Sequence, residues 1–158
     1  MKTADVCFDD TVHYLNLKDS KNRKGVEIRR QVPIHSELLR LGILDYVKAC
    51  ESVSDYLFPS LKIDKIGRRS AYMSEKISRH LLNLGLYRKD YPKLGAHYFR
   101  GSVITKFDNI ADVQDKDWKR IVGHSTSNDV SIESYSGGLT LTRLQEIVEL
   151  IDYEGNEQ

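Results

Sequence analysis

The sequence predicts an α+β domain that is mainly α-helical, with a small antiparallel β-hairpin near the N-terminus. Two patterns carry this expectation. Residues 11–17 and 26–34 are rich in alternating β-formers, and the polar stretch between them contains Asn22 and Gly25, the composition of a hairpin with a long basic tip. Downstream, apolar residues recur at helical rather than two-residue spacing through the rest of the chain.

Taken in order, Pro33 closes the second strand, since proline fixes φ and brings no backbone donor. From Ser36 to about Cys50, apolar Leu39, Ile43, Val47 and Cys50 follow the helical period, and Gly42 is expected to lower helix propensity without breaking the pattern. A second helix is predicted from about Ser70 to Leu84, with Met73, Ile77, Leu81 and Leu84 on one face assigned to the core and Gly85 ending it. A loop through Asp90-Tyr91-Pro92 leads into a helix that begins near Ala96. Its Phe99, Val103, Ile104 and Phe107 are expected to bury one face, leaving His97 and Arg100 in the first turn to point into a cleft, at a helix end that favours anions. Residues 115–122 predict a short helix with Trp118, Ile121 and Val122 inward, followed by a polar connector from Ser125 to Asp129. Gly137-Gly138 breaks the chain. Thr142-x-x-Gln145 is a capping-box signature for a last helix with the apolar stripe Leu144, Ile147, Val148 and Ile151.

Composition sets bounds on function without choosing it. A chain of 158 residues with 40% hydrophobic and 30% charged residues is ordinary for one domain with a real core. No apolar stretch approaches the roughly 18 residues of a membrane span, and no charged-then-apolar leader opens the chain, so no membrane role and a cytoplasmic location are expected. Cys7 and Cys50 are too few and too far apart for a metal site or a disulfide framework and are read as reduced thiols. Net charge is only +1, but the bases are clustered: Lys18, Lys21, Arg23, Lys24, Arg29 and Arg30 in one run, Lys62, Lys65, Arg68 and Arg69 in another. Such clusters suit a polyanion even when the whole chain is nearly neutral.

Chemistry concentrates between Ala96 and Tyr135, where His97-Tyr98-Phe99-Arg100, Gly123-His124 and Tyr135 follow one another. A tyrosine hydroxyl has a resting pKa of about 10, so attack on phosphorus needs donors that hold the phosphate and stabilise charge developing on its oxygens. Arginine presents a planar fork to two phosphate oxygens and never deprotonates; histidine offers a hydrogen bond or a proton near neutral pH. Singly, each residue has an ordinary explanation: a packing tyrosine, a solvent-exposed i,i+3 pair, a glycine that ends a helix. Their combination, order and spacing argue for a site.

These motifs resemble the C-terminal catalytic domain of the tyrosine recombinases, particularly the phage and prophage integrases. His97 and Arg100 match the family's His-x-x-Arg box; Gly123-His124 and Tyr135 match its Gly-His pair and nucleophile. Arg29-Arg30-Gln31-Val32-Pro33-Ile34-His35-Ser36-Glu37-Leu38 and Leu57-Phe58-Pro59 are similar to further landmarks, so the likeness covers nearly the whole chain. It implies site-specific DNA recombination with Tyr135 as nucleophile, Arg100, His97 and His124 around the phosphate, and a hairpin lysine as acid for the leaving 5′ oxygen. Lys21, in Ser20-Lys21-Asn22, is the choice for that acid, with Lys24 and Lys18 as alternatives. Lys18, Arg23, Lys24, Arg68 and Arg69 are then DNA contacts. No metal or cofactor is required; the implied partners are double-stranded attachment sites and other integrase protomers, as a tetramer in the synaptic complex.

Two departures qualify the match. The family's first box, which supplies another phosphate-clamping arginine upstream of the hairpin, has no counterpart before Asp5, and Gly101 stands where many members have histidine. Residues 1–158 are accordingly expected to be a partial catalytic domain, lacking its N-terminal portion and the upstream DNA-binding domains, and inactive or severely impaired alone. The competing expectation is a catalytically inactive prophage remnant that binds DNA or a partner recombinase. A type IB topoisomerase-like domain is a further alternative, disfavoured by Val32-Pro33-Ile34-His35 and the short Gly-His to tyrosine spacing.

Overall fold

A computed structural model describes residues 1–19, 28–67, 69–86, 96–110, 112–123 and 140–152. Among them, strands β1 (Val6–Phe8), β2 (His13–Asp19) and β3 (Ile28–Pro33) form an antiparallel sheet in the order β1-β2-β3. The β2–β3 register pairs Tyr14 with Pro33, Asn16 with Gln31 and Asp19 with Ile28, so the two outer segments predicted as a hairpin do pair. Its tip lies outside the described residues. β1 was not anticipated. It is short and joins β2 through a turn in which the Asp9 carboxylate accepts from the Thr11 and Val12 N–H groups at 3.4 and 2.9 Å. These bonds, led by that from Val12, hold the Asp9 carboxyl below the usual carboxylate range.

Helices follow: α1 (Ser36–Arg40), α2 (Ile43–Glu51), α3 (Ser70–Asn83), α4 (Ala96–Asp108), α5 (Asp115–Val122) and α6 (Leu141–Glu149). The helix expected from Ser36 to Cys50 is therefore two helices. Gly42 sits between them at φ +86°, a left-handed conformation that glycine adopts without steric cost, and so it does break the pattern. The change of direction lets α2 bury Val47 and Cys50, with the Cys50 thiol 3.4 Å from the Leu57 carbonyl.

The core is built from the second half of the chain. Phe107 of α4, Trp118 and Ile121 of α5, and Leu144, Ile147 and Val148 of α6 pack with Val113, and Val32 of β3, Val103, Ile104 and Val122 close over them. Phe107, Leu144 and Ile147 have essentially no exposed surface, and each such side chain is worth roughly 1.5–3 kcal/mol of burial. Three expectations need correction. Phe99 is half exposed, because only the later turns of α4 reach the core. The α3 stripe is not core: Met73, Ile77 and Leu81 are partly exposed and Leu84 is exposed, since α3 packs chiefly against α4 among the described residues. The cap of α6 is Thr140, whose hydroxyl accepts from the Arg143 N–H at 3.2 Å, rather than Thr142. Gln145 instead donates to the Ile34 carbonyl at 3.3 Å and to the Glu149 carboxylate.

α6 is also fastened to the start of α1. The Glu149 carboxylate accepts from the Ser36 N–H at 2.8 Å and from the Ser36 hydroxyl at 2.5 Å, and lies 3.6 Å from His35 Nε2. Burial pushes its pKa upward, but the Ser36 donors, His35 and Gln145 together outweigh that and hold it below the ordinary value.

Candidate functional site

The carboxyl end of α5 is where separate elements converge. α5 begins with Asp115 and Asp117 in its first turn and carries Lys119 and Arg120 in its last, the charge order a helix dipole favours. Asp115 is paired with Lys119 at 2.7 Å, and that bond holds its carboxyl below the ordinary range. The helix stops at Gly123, whose φ of 69° and ψ of 42° are left-handed and whose N–H bonds the Lys119 carbonyl. Glycine is favoured at this closing position because a side chain there clashes with its own backbone.

Two guanidinium groups hold this end. Arg100, one turn into α4, donates from Nη2 to the Gly123 carbonyl at 3.2 Å. Arg30 reaches from β3 and donates from Nη1 to the Ile121 carbonyl at 2.5 Å. Arg30 also covers the Cα of Gly123 so closely that a Cβ at 123 would stand 2.6 Å from its Cζ. The last carbonyls of a helix carry partial negative charge and lack intrahelical donors, so both contacts are electrostatically favourable.

This geometry joins the turn bearing His97 and Arg100 to the residue that directly precedes His124. His97 is exposed beside Arg100, which is partly exposed, and their i,i+3 spacing puts both on one helix face. A guanidinium has five donors, so the bond to Gly123 leaves Arg100 the capacity to engage an anion as well. Tyr98 and Phe99 are exposed, and a Cβ added at Gly101 would have no heavy atom within 4 Å.

Other sequence-predicted residues fall differently. His124, Tyr135, Lys21, Arg23, Lys24 and Arg68 lie outside the described residues, and Lys18 is placed only by its backbone in β2. Arg69 donates to the Leu61 carbonyl and stacks over the Tyr56 ring at 4.2 Å, contacts that fasten the start of α3 to the segment before it. Among the described residues, no group of three His, Cys, Asp or Glu side chains is arranged to hold a metal ion, and no helix is long and apolar enough to cross a membrane.

Arg30 is the residue that sequence reasoning missed as part of this site. The sequence places it in a basic run and in the Arg29–Leu38 stretch, with no role of its own at the site. Strand alternation contained the signal: Arg30 and Val32 are two apart in β3 and share a face, and Val32 packs against the core, so Arg30 faces the helices.

Comparison of the chain with protein-family models, with curated proteins and with solved structures found no match in any of the three.

Proposed function

We propose that the chain is the C-terminal catalytic part of a tyrosine recombinase that cuts and rejoins DNA through a covalent tyrosine link. The observation that supports it most is the Arg100–Gly123 hydrogen bond, which draws the His97/Arg100 turn against the residue before His124. Those two motifs are separated by more than a helix in sequence, and phosphoryl transfer needs their side chains on one phosphate.

In this reading the Tyr135 hydroxyl attacks a backbone phosphorus and the bond from phosphorus to the 5′ oxygen breaks. The products are a 3′-phosphotyrosyl link and a free 5′ hydroxyl, the tyrosine's proton being balanced by the one delivered to the leaving oxygen. Arg100, His97 and His124 stabilise charge on the five-coordinate phosphorus, and Lys21 protonates the leaving oxygen. A free 5′ hydroxyl from the partner duplex then attacks the link, so bond energy is conserved without a nucleotide or metal. The partners are double-stranded attachment sites and further protomers in a tetrameric synapse.

The test is incubation of the full-length protein with a nicked suicide duplex of its own attachment site, followed by a denaturing gel. A covalent protein–DNA band is expected. Retention of DNA with no covalent band would favour a remnant that only binds, and neither binding nor a band would overturn both readings.

A further inference from the structure

We infer that Arg30 is a positioning residue of the phosphoryl-transfer site, a role that rests on the recombinase reading. Its guanidinium and that of Arg100 grip the carboxyl end of α5 from two elements, one at the Ile121 carbonyl at 2.5 Å and across the Gly123 Cα, the other at the Gly123 carbonyl at 3.2 Å. Gly123 has no side chain, which is what admits the flat Arg30 group so close.

The consequence is mechanical. The left-handed turn at Gly123, the residue before His124 in sequence, fixes the carbonyl on which Arg100 leans. Arg30 clamps that turn from β3, the strand that follows the candidate acid Lys21 in sequence. The two guanidinium contacts together therefore tie β3, the Arg100 turn and Gly123 to one another. A lysine at position 30 could keep a charge near the Ile121 carbonyl, but its single ammonium cannot cover Gly123 as a planar fork does.

Two measurements test this. First, Arg30→Met and Arg30→Lys in the full-length protein are compared with wild type on a nicked suicide duplex at saturating DNA. Both should lower the single-turnover rate of adduct formation by about tenfold or more, with the half-saturating DNA concentration changed less than about threefold. Guanidinium ion should restore part of the rate to Arg30→Ala. A wild-type rate in Arg30→Lys, or a defect that vanishes at saturating DNA, would overturn the inference. Second, amide hydrogen exchange of the chain should show the Gly123 N–H of Arg30→Met exchanging about tenfold faster, while the amides of α6 are unchanged. Unchanged exchange at Gly123 would also overturn it. If wild type forms no adduct, the recombinase reading fails, and Gly123 exchange then shows separately whether Arg30 holds the turn.

Discussion

Replacing Gly123 with alanine strikes the point where β3, α4 and α5 meet, and the cost divides into two parts. The backbone at φ 69° and ψ 42° is left-handed, and a Cβ there costs about 1–2 kcal/mol. The new methyl would also stand 2.6 Å from Arg30 Cζ and 2.8 Å from Nη1. Since the guanidinium ends a flexible side chain, it swings away instead of distorting the fold, giving up its bond to the Ile121 carbonyl. A hydrogen bond to a charged group is worth roughly 1.5–3 kcal/mol, so the whole substitution should cost about 2.5–5 kcal/mol. Arg30→Met separates the parts: in that background only the backbone strain remains, and the coupling between the two positions should be about 1.5–3 kcal/mol. Urea denaturation of the four proteins, followed by the fluorescence of the single tryptophan, Trp118 in the core, measures every leg of the cycle. A loss below about 0.5 kcal/mol for Gly123→Ala, or an equal loss in both backgrounds, would refute the close approach of Arg30.

Other perturbations probe the chemistry and the remaining scaffold. Arg100→Lys should slow cleavage by orders of magnitude while weakening DNA binding far less, because a point charge does not reproduce the fork; single-turnover cleavage within about threefold of wild type would remove Arg100 from the transition state. Among the hairpin lysines, a 5′-thio leaving group, which departs without protonation, should rescue Lys21→Ala but not Lys18→Ala or Lys24→Ala; rescue of Lys24→Ala alone would move the acid there. Glu149 has a lowered pKa in the folded chain, so its contribution to stability is present above the unfolded value of about 4.3 and is lost as pH falls through the folded value. The stability gap between wild type and Glu149→Gln should therefore be open at pH about 6 and shrink towards pH about 3; a gap constant across that window would show that the Ser36 and His35 contacts do not act through the carboxylate.

What could be read from the sequence, and what could not, follows from the range of the interactions involved. The inward faces of α5 and α6 were legible because Trp118, Ile121, Leu144, Ile147 and Val148 repeat at helical spacing and bury against one another. Pro33 and Gly85 marked ends because their backbone constraints act locally. Gly42 was misread: propensity alone does not reveal that a left-handed turn there lets Val47 and Cys50 reach cover. The periodicity of α3 was also real but said nothing about whether a neighbour lies over it, and Leu84 is in fact exposed. At the site, His97 and Arg100 could be linked by spacing, whereas the contact between Arg100 and Gly123 spans elements far apart in sequence. Arg30 was hidden for a different reason. A basic residue in a basic run looks like a phosphate contact until Val32 beside it shows which way that face of β3 points.

The covalent chemistry proposed for Tyr135 is tested directly by trapping the protein on a nicked suicide duplex, trimming the DNA with nuclease and mapping the modified peptide by mass spectrometry. A nucleotide remnant joined to Tyr135, and no adduct from Tyr135→Phe at nearly unchanged DNA affinity, is the expected result. A remnant on another residue, or an adduct formed by Tyr135→Phe at the normal rate, would contradict the assignment of this tyrosine as the nucleophile.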